Sequence, residues 1–477
     1  MAALALIAGV GLPWILGIAL LRALPGAGAA LTMPGSIAWT VGAGWFAGAL
    51  LLTFAMRALA LITGGFGLLK TGPLAIVAAA ILVFFAARRD REALRDALHA
   101  GWSELRAVEL SPWQQRIWFA LLGWLALRAV LLFTEIVLRP LFPWEAWTRW
   151  ATKARVYYEL GTIVPFGDAE RWLAGNGALW FDAGPREPAT VPLLQAWTSL
   201  VLGRWDDVLI AVPWWIAGMA LSFAVYGALR LVRMTPLPAL VIVWMMASLP
   251  LLDTHVALAG YADLYVAGFV TLGALALLRA AATRVAADVI VALLFLSALP
   301  LCKGAGALWI AALLPGSAVA LWPARGARIA VIALVAIAGA LLLLARTRWQ
   351  IGDFPLHLDF APAWSALVEN FFLFDNWHLL WYAVAFIALV AGRAAITPEL
   401  LPLTVMIGGG LAYAFIVFAF PAARTWFGDI TTMNRTVLAL APLVCIWLAR
   451  TMQAWTERGF ERRTTPPVLS ASARLIQ

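Results

Sequence analysis

The sequence predicts an all-α, polytopic membrane protein with about thirteen transmembrane helices and short juxtamembrane helices in its first large outer loop. Three observations predict this class. The 477 residues are 64% hydrophobic and only 12% charged, whereas soluble domains are close to half apolar and a quarter charged. The apolar runs are long and continuous, which is typical of helices and not of alternating barrel strands. Finally, there are 26 tryptophans, many of them at the ends of these runs, where a membrane interface favours them.

Each apolar window has roughly the 16–24 residues that a membrane-spanning helix requires. The first lacks a basic start and is therefore predicted to be a span and not a cleaved signal peptide. Both cysteines lie in apolar surroundings, so neither a disulfide framework nor a metal-binding spacing is present. In chain order the windows cover residues 4–23, 38–62, 72–87, 114–137, 208–232, 236–252, 264–281, 285–301, 304–322, 328–345, 379–394, 400–420 and 433–451.

Lysine and arginine in the short loops predict the orientation, because these residues favour the cytoplasmic side of a membrane. The charged stretch 88–113 is predicted to be a cytoplasmic amphipathic linker, and residues 452–477 a cytoplasmic tail. The net charge of +9 is then explained without a nucleic-acid partner, since anionic lipid headgroups attract basic segments. Three sizeable regions remain on the outer face: 138–207, 346–378 and 421–432.

The first outer region ends in an apolar segment, Val191–Gly203, that is too short to cross a bilayer comfortably. Counting it as a span would also move the basic residues Arg230 and Arg233 to the outer face. The segment is therefore predicted to be a helix that lies on, or dips into, the outer membrane surface.

Within this region the segment Pro143–Gly161 (PWEAWTRWATKARVYYELG) concentrates charge and tryptophan. Helical spacing puts Glu145, Arg149 and Lys153 on one face. Such a face can bind a phosphate beside a sugar ring, because cations offset phosphate charge and aromatic rings stack on sugars. It is equally typical of an amphipathic helix anchored to lipid headgroups, so the spacing leaves both interpretations open. The tryptophans form a neighbouring stripe: Trp144, Trp147 and Trp150.

Further ionisable residues lie at the outer ends of later apolar windows, where they are costly and usually functional. The alternatives are that the aspartates cap helices and that the lysine extends to the headgroups. In the predicted orientation all of them are on the outer side, so they could converge on one outward-facing cavity. They are Asp253, His255, Asp263, Lys303 and Arg435.

Motifs for other chemistries are absent from the sequence. It has no phosphate-binding Walker loop, glycine-rich dinucleotide turn, HExxH helix or thiol redox pair, which argues against nucleotide-sugar donors and ATP. A reaction on the outer face needs a donor already carried across the membrane, and polyprenyl-phosphate sugars meet that need. No cofactor is predicted, and no divalent metal, because no dense carboxylate cluster is present.

The order of these motifs resembles that of the GT-C superfamily of membrane glycosyltransferases. The chain looks most similar to dolichyl-phosphate-mannose-mannosyltransferase-like and aminoarabinose-transferase-like members, which use polyprenyl-phosphate sugars. PWEAWTRWATKAR resembles their PWDAW followed by WxxKAR, REPATVPLLQAW resembles a YPxLVPLLQAW segment, and LCKGAG resembles their KNEG or KGP. The similarity covers about residues 114–450, so 114–451 is predicted to be the catalytic module, with its outer loop at 138–207. Residues 1–87 are predicted to be N-terminal transmembrane helices outside it.

The resemblance implies roles for particular residues. Glu145 is expected to be the catalytic base or to position the acceptor, and Asp263 is expected to assist it. The sequence departs from the family pattern at Glu145, where the family has Asp, and at Ala305, where it has an acidic residue or Pro. The cations implied to bind the donor phosphate are Lys153, Arg155, Lys303 and Arg435. The residues expected to line the substrate or sugar are Trp144, Trp147, Arg149, Asp253, His255 and Tyr261.

The function predicted in this way is the transfer of a sugar from a polyprenyl-phosphate donor to the hydroxyl of a lipid, glycan or protein acceptor. The expected location is a bacterial inner membrane, with the active site facing the periplasm and membrane lipid as a further partner. A transporter or flippase for a lipid-linked or small polar solute would share the spans and the charged groups. Weak repeat symmetry and few broken helix pairs argue against it. A non-catalytic scaffold would not need so many ionisable groups at outer helix ends.

Overall fold

Apolar helices carry most of the chain in the computed structural model, which describes residues 2–30, 32–106, 108–175, 177, 179–257, 260–346, 349–351, 354–356, 364–419 and 430–464. In these residues eight helices are long and apolar enough to cross a membrane, and up to ten if each of two bent pairs is one span. The chain is therefore an all-α, multi-pass membrane protein. The predicted count of about thirteen is not confirmed, because three helices in predicted windows have only 16 or 17 residues.

The helices and strands of the described residues have the following bounds in chain order. The helices are α1 (Ala2–Ala23), α2 (Ser36–Thr63), α3 (Leu68–Leu105), α4 (Pro112–Leu138), α5 (Thr152–Leu160), α6 (Ala169–Ala174), α7 (Thr190–Leu202), α8 (Val212–Leu231), α9 (Pro236–Ala247), α10 (Pro250–Ala257), α11 (Asp263–Thr283), α12 (Ala286–Cys302), α13 (Gly306–Leu321), α14 (Pro323–Arg346), α15 (Trp364–Val368), α16 (Leu380–Ala395), α17 (Leu401–Ala419), α18 (Ile430–Leu438) and α19 (Ala441–Thr464). Two small sheets pair β1 (Phe166–Gly167) with β2 (Trp180–Phe181) in parallel, and β3 (Trp349–Ile351) with β4 (Phe354–Leu356) antiparallel.

α11 is the central helix of the bundle. Every residue from Asp263 to Ala276 is buried, which is typical of a helix that is apolar on all sides. It packs against α8, α12 and α13. Its 21 residues extend over about 30 Å, close to the thickness of a bilayer's hydrocarbon core. The end of the bundle that carries the 138–207 loop and Asp263 is called the loop end below, and the end near Thr283 the opposite end.

The predicted amphipathic linker is the continuation of a membrane-capable helix, because α3 runs unbroken from Leu68 to Leu105. Its last turn is fixed by Glu104, whose Oε1 accepts from the Tyr226 hydroxyl at 2.9 Å and from Arg230 Nε. Glu104 Oε2 accepts from the backbone N–H of Gly35 at 3.2 Å. Charge in this stretch therefore holds α3 against α2 and α8. Of the predicted tail, residues 465–477 lie outside the described part of the chain.

α7 is buried inside the protein, and the prediction that it lies on a membrane surface is wrong. All residues from Thr190 to Ser199 are buried, and the helix packs against α1, α2 and α5. The Trp197 indole N–H donates to the carbonyl of Gly9 at 2.8 Å. An apolar helix of 13 residues is too short for a span, but it can fill the space between spans and the loop above them.

The N-terminal helices also reach the loop end. Arg57, near the end of α2, donates through Nη2 to the Thr190 hydroxyl at 2.7 Å and to the carbonyl of Leu301 at 3.3 Å. Thr190 itself donates to the Leu301 carbonyl at 2.5 Å. Residues 1–87 therefore pack together with the predicted catalytic module and support the chain beside Lys303.

Candidate functional site

Arg435 lies at the centre of a charged cluster at the loop end. Its Nη1 donates to Glu145 Oε2 at 2.6 Å, and its Nε donates to Asp263 Oδ2 at 2.9 Å. The guanidinium also lies over the ring of Tyr261, 4.3 Å from its centroid. A planar guanidinium suits this position, because it can bind two carboxylates and stack on an aromatic ring at once. One side chain therefore joins the 138–207 loop, the start of α11 and α18.

Lys303 joins the cluster from the break between α12 and α13. Its Nζ donates to Asp263 Oδ1 at 2.6 Å, so both oxygens of Asp263 are engaged, and the Asp263 side chain is only 4% exposed. The next residue, Gly304, donates its backbone N–H to Glu187 Oε2 at 3.0 Å. The cluster thus has a third carboxylate, Glu187. This residue lies within the REPATVPLLQAW segment but is not among the site residues predicted from the sequence.

A glycine allows the loop before α11 to approach Glu145. Gly260 has φ +111°, a conformation that glycine adopts without steric cost. A Cβ at this position would lie 2.6 Å from the Cβ of Ala146. The Trp214 indole N–H donates to the carbonyl of Tyr261 at 2.7 Å and fixes the loop on its other side. These contacts bring Tyr261 and Asp263 next to the segment that carries Glu145.

The segment around Glu145 contains a π-helical turn, Ala146–Ala151, a rare feature that often occurs at functional sites. Arg149 Nη1 is 3.6 Å from Glu145 Oε1, so the pair expected at helical spacing is present. Trp144 and Trp147 pack edge to face, with ring centroids 5.0 Å apart. Their side chains are 71% and 44% exposed, which leaves them accessible to a ligand or to lipid.

Lys153 shares the face of Arg149 but is buried against protein. Its Nζ donates to the carbonyls of Gly184 at 2.6 Å and Glu187 at 3.1 Å, and it is 3.4 Å from Asp182 Oδ1. Burial lowers the pKa of Lys153 and raises the pKa of Asp182, because it penalises both charged forms. The structure therefore corrects the predicted contact between Lys153 and a donor phosphate: its ammonium group holds the 182–187 turn.

Replacing Lys153 by methionine is expected to lower the free energy of unfolding by about 3–5 kcal/mol, because Asp182 is left as a buried charge without its cation. The double variant Lys153→Met, Asp182→Asn should recover most of that loss, since it removes both charges. Thermal unfolding in detergent measures the difference. Lys70→Met is the matched control, because Lys70 is exposed. Equal unfolding temperatures for Lys153→Met and Lys70→Met would contradict the structural role of Lys153.

Asp253 does not join the cluster, which corrects its predicted role in lining the sugar. It forms an ion pair with Arg128 of α4, and Arg128 also donates through Nε to the carbonyl of Ala247 at 3.0 Å. The pair lies in the wall of a cavity between α3, α4, α8 and α9. Arg155 is likewise outside the cluster, with its guanidinium 6.0 Å from the ring centroid of Trp205.

His255 lies beside the cluster but has little access to a ligand. It is 5% exposed, and its ring centroid is 5.9 Å from that of Tyr261. Nδ1 is 2.9 Å from the carbonyl oxygen of Leu251, and Nε2 is buried with no hydrogen-bond partner among the described residues. Its position fits a residue that packs behind Tyr261 better than one that lines the sugar.

A buried asparagine pair supports α18, and it was not predicted because an amide in an apolar segment carries no charge. Asn434 Nδ2 donates to Asn370 Oδ1 at 2.6 Å. The Trp377 indole donates to Asn434 Oδ1 at 3.2 Å, and Asn370 Nδ2 donates to the carbonyl of Ala366 at 2.7 Å. Because Asn434 directly precedes Arg435, this network fixes the helix that presents the guanidinium.

Accessibility divides the cluster into two kinds of residue. The side chain of Glu145 is 27% exposed and that of Arg435 12%, while Lys303 is 23% exposed; Asp263 is buried. An accessible carboxylate between accessible cations can accept a proton and bind an anion. No group of three or more His, Cys, Asp or Glu suited to a metal ion occurs in the part of the chain that the structure describes. The charged cluster at the loop end consists of Glu145, Arg149, Glu187, Asp263, Lys303 and Arg435.

The fold and this site define a multi-pass membrane protein with a mixed-charge cluster at one end of its bundle. No protein-family model, curated protein or solved structure matches the chain.

Proposed function

We propose that the protein is a GT-C-type glycosyltransferase that moves a sugar from a polyprenyl-phosphate donor to an acceptor hydroxyl. The observation that carries the proposal is the convergence of Glu145, Asp263, Lys303 and Arg435. These residues come from four segments that are far apart in the sequence, yet ion pairs join them. The orientation predicted from the arginines puts them on the periplasmic side of a bacterial inner membrane.

Glu145 and Asp263 have different proposed roles. Glu145 is the base, because its carboxylate is accessible and can meet an acceptor hydroxyl. Asp263 is a positioning residue, because its oxygens are already bound to Lys303 and Arg435 and its side chain is buried. Positioning matters here, since catalytic groups contribute most when they are held in the geometry of the transition state.

In the proposed reaction the acceptor oxygen attacks the anomeric carbon, and the bond from that carbon to the phosphate oxygen breaks. The hydroxyl proton passes to Glu145, and polyprenyl phosphate leaves with the electron pair. Lys303 and Arg435 stabilise the negative charge that develops on the leaving phosphate. Attack opposite the leaving group inverts the anomeric carbon. A lysine has three N–H donors; Lys303 uses one for Asp263, which leaves donors for a phosphate.

A large apolar cavity that reaches α10 at Asp253, two positions before His255, supports a lipid-linked donor. It has a volume of about 620 Å³, within the range of ligand pockets, and extends between Glu104 near the opposite end and Asp253 near the loop end. Apolar side chains such as Leu132 and Phe223 line it, so it suits a hydrocarbon chain better than a small polar solute. The same cavity is what favours the second candidate, a flippase for a lipid-linked solute.

Lys303→Met is expected to weaken binding of the donor by about 10–100-fold, the value of one or two charge-assisted hydrogen bonds. Binding is measured by competition of polyprenyl phosphate with a radiolabelled polyprenyl-phosphate sugar. Arg155→Met is the control, since Arg155 is an exposed cation at the same end of the bundle, in the 138–207 loop, and lies outside the cluster. An unchanged affinity in the Lys303 variant would refute the phosphate contact, and movement of the donor across vesicles without sugar transfer would favour the flippase.

A further inference from the structure

A second cavity lies at the opposite end of the bundle, away from the proposed catalytic cluster. It has a volume of about 430 Å³ and is bounded by the ends of α1, α2, α8, α11 and α12 together with α17 and α19. α11 connects the two places: Asp263 begins it in the cluster, and Arg279 and Thr283 line the cavity. The length of α11 separates them by about one membrane thickness. The cavity is therefore a separate site at the other face.

Charged residues of the cavity wall include three arginines and two carboxylates. Asp288 is held on both oxygens, by Arg279 at 3.2 Å and by the Thr283 hydroxyl at 2.9 Å. Arg450 forms a long ion pair, because its Nη2 is 3.9 Å from Glu399, whose side chain is 84% exposed, and its Nη1 donates to Gln453 Oε1 at 2.8 Å. Exposed pairs of this kind contribute little, so Glu399 offsets little of the positive charge of Arg450. The charged residues are Arg22, Arg279, Asp288, Glu399 and Arg450.

The remaining wall is mostly apolar and formed by side chains of several helices. A free inorganic anion would leave these side chains without a partner, whereas a molecule with an anionic head and a hydrocarbon chain would cover both parts of the wall. Basic pockets between transmembrane helices are typical binding sites for anionic lipid headgroups. The apolar residues include Leu21, Leu231, Leu275, Leu278, Leu403 and Ile446.

We propose that this cavity binds an anionic phospholipid of the leaflet opposite the catalytic cluster. The headgroup phosphate contacts Arg279 and Arg450, and an acyl chain covers the leucine-rich wall. Arg279 is preorganised for this contact, because Asp288 and the ring of Trp39, 5.6 Å away, limit its movement. The lipid would join α1, α2, α11 and α19, so its binding stabilises the bundle by mass action. The lipid site and the transfer reaction are independent, and either can fail without the other.

The test uses the full chain in phosphatidylcholine nanodiscs, with phosphatidylglycerol added in steps. Phosphatidylglycerol is expected to raise the unfolding temperature of the wild type, and native mass spectrometry should show a bound lipid. The double variant Arg279→Gln, Arg450→Gln should bind phosphatidylglycerol about 30-fold more weakly, given the usual contribution of each cation near an anionic headgroup. Arg233→Gln with Arg393→Gln is the matched control, because both are exposed arginines outside the cavity wall.

A second variant keeps the arginines but fills the cavity. Leu278→Trp should also lose the lipid while retaining its fold in phosphatidylcholine. This variant therefore tests lipid binding even if the arginine variant does not fold. Inorganic phosphate at millimolar concentration should leave the unfolding temperature unchanged. A shift as large as that from phosphatidylglycerol would show that the cavity binds a free anion and not a lipid. Equal stabilisation of the wild type, Leu278→Trp and the control by phosphatidylglycerol would overturn the proposal.

Discussion

Replacing Glu145 by glutamine is expected to lower the rate of sugar transfer by about a thousandfold, within the range that a positioned general base contributes. Glutamine keeps the size of the side chain and its hydrogen bond to Arg435, but it does not accept the acceptor's proton. Binding of the polyprenyl-phosphate donor should change little, because Lys303 and Arg435 remain. Transfer of radiolabelled sugar from the donor to a membrane-extract acceptor measures the rate.

Two further variants make this result specific. Glu159→Gln is the matched control: Glu159 is an exposed carboxylate of the same segment, and its loss should leave the rate unchanged. Glu145→Asp should retain measurable activity, because the carboxylate is kept and the family that the motifs resemble has Asp at this position. Full activity in the Glu145→Gln variant would show that Glu145 is not the proposed base, and the role would then fall to Glu187 or to another group.

The sequence predicts the parts of the molecule that depend on composition and on isolated charges. Apolar windows correctly indicate a helical, multi-pass protein, because a bilayer requires long uninterrupted apolar helices. Charged residues at the ends of such windows are costly unless they are partnered. The same reasoning predicts Asp253, His255, Asp263, Lys303 and Arg435 as site residues. The structure joins Asp263, Lys303 and Arg435 through ion pairs, whereas Asp253 pairs with Arg128.

The environment of each residue could not be predicted, because it depends on tertiary packing. α7 is apolar along its length, and no pattern within it distinguishes a membrane surface from the interior between α1, α2 and α5. Helical spacing predicts that Glu145, Arg149 and Lys153 share a face, and Arg149 lies 3.6 Å from Glu145 in the structure. Spacing does not show, however, that the 182–187 turn covers Lys153 and leaves Glu145 accessible.

Residues without a recognisable motif were also missed. Arg57 lies in a window that the resemblance leaves outside the catalytic module, so a search by motif order does not reach it. Asn370 and Asn434 are ordinary amides in apolar surroundings. Their importance follows from a contact across 64 positions of sequence, and one sequence alone carries no record of such a pairing.

Replacing Arg435 by methionine is expected to have the largest combined effect on stability and activity. Its guanidinium offsets the charges of Glu145 and of the buried Asp263, so its removal should lower the free energy of unfolding by about 3–5 kcal/mol. Donor binding should fall as well, because a phosphate contact is lost. Arg435→Lys should keep part of the stability but little of the activity, since an ammonium cannot hold both carboxylates in the same plane.

Stability and chemistry can be separated with a double variant. Arg435→Met combined with Asp263→Asn removes the buried carboxylate together with the guanidinium that bound its Oδ2 and should recover most of the unfolding temperature, because a buried pair can be replaced by neutral groups at little cost. Sugar transfer should stay lost, because no guanidinium faces the donor phosphate. If the double variant regains both stability and transfer, Arg435 is only a structural partner of Asp263. If it regains stability alone, Arg435 and Asp263 do more than balance each other's charge, and that result supports a role for this pair in sugar transfer.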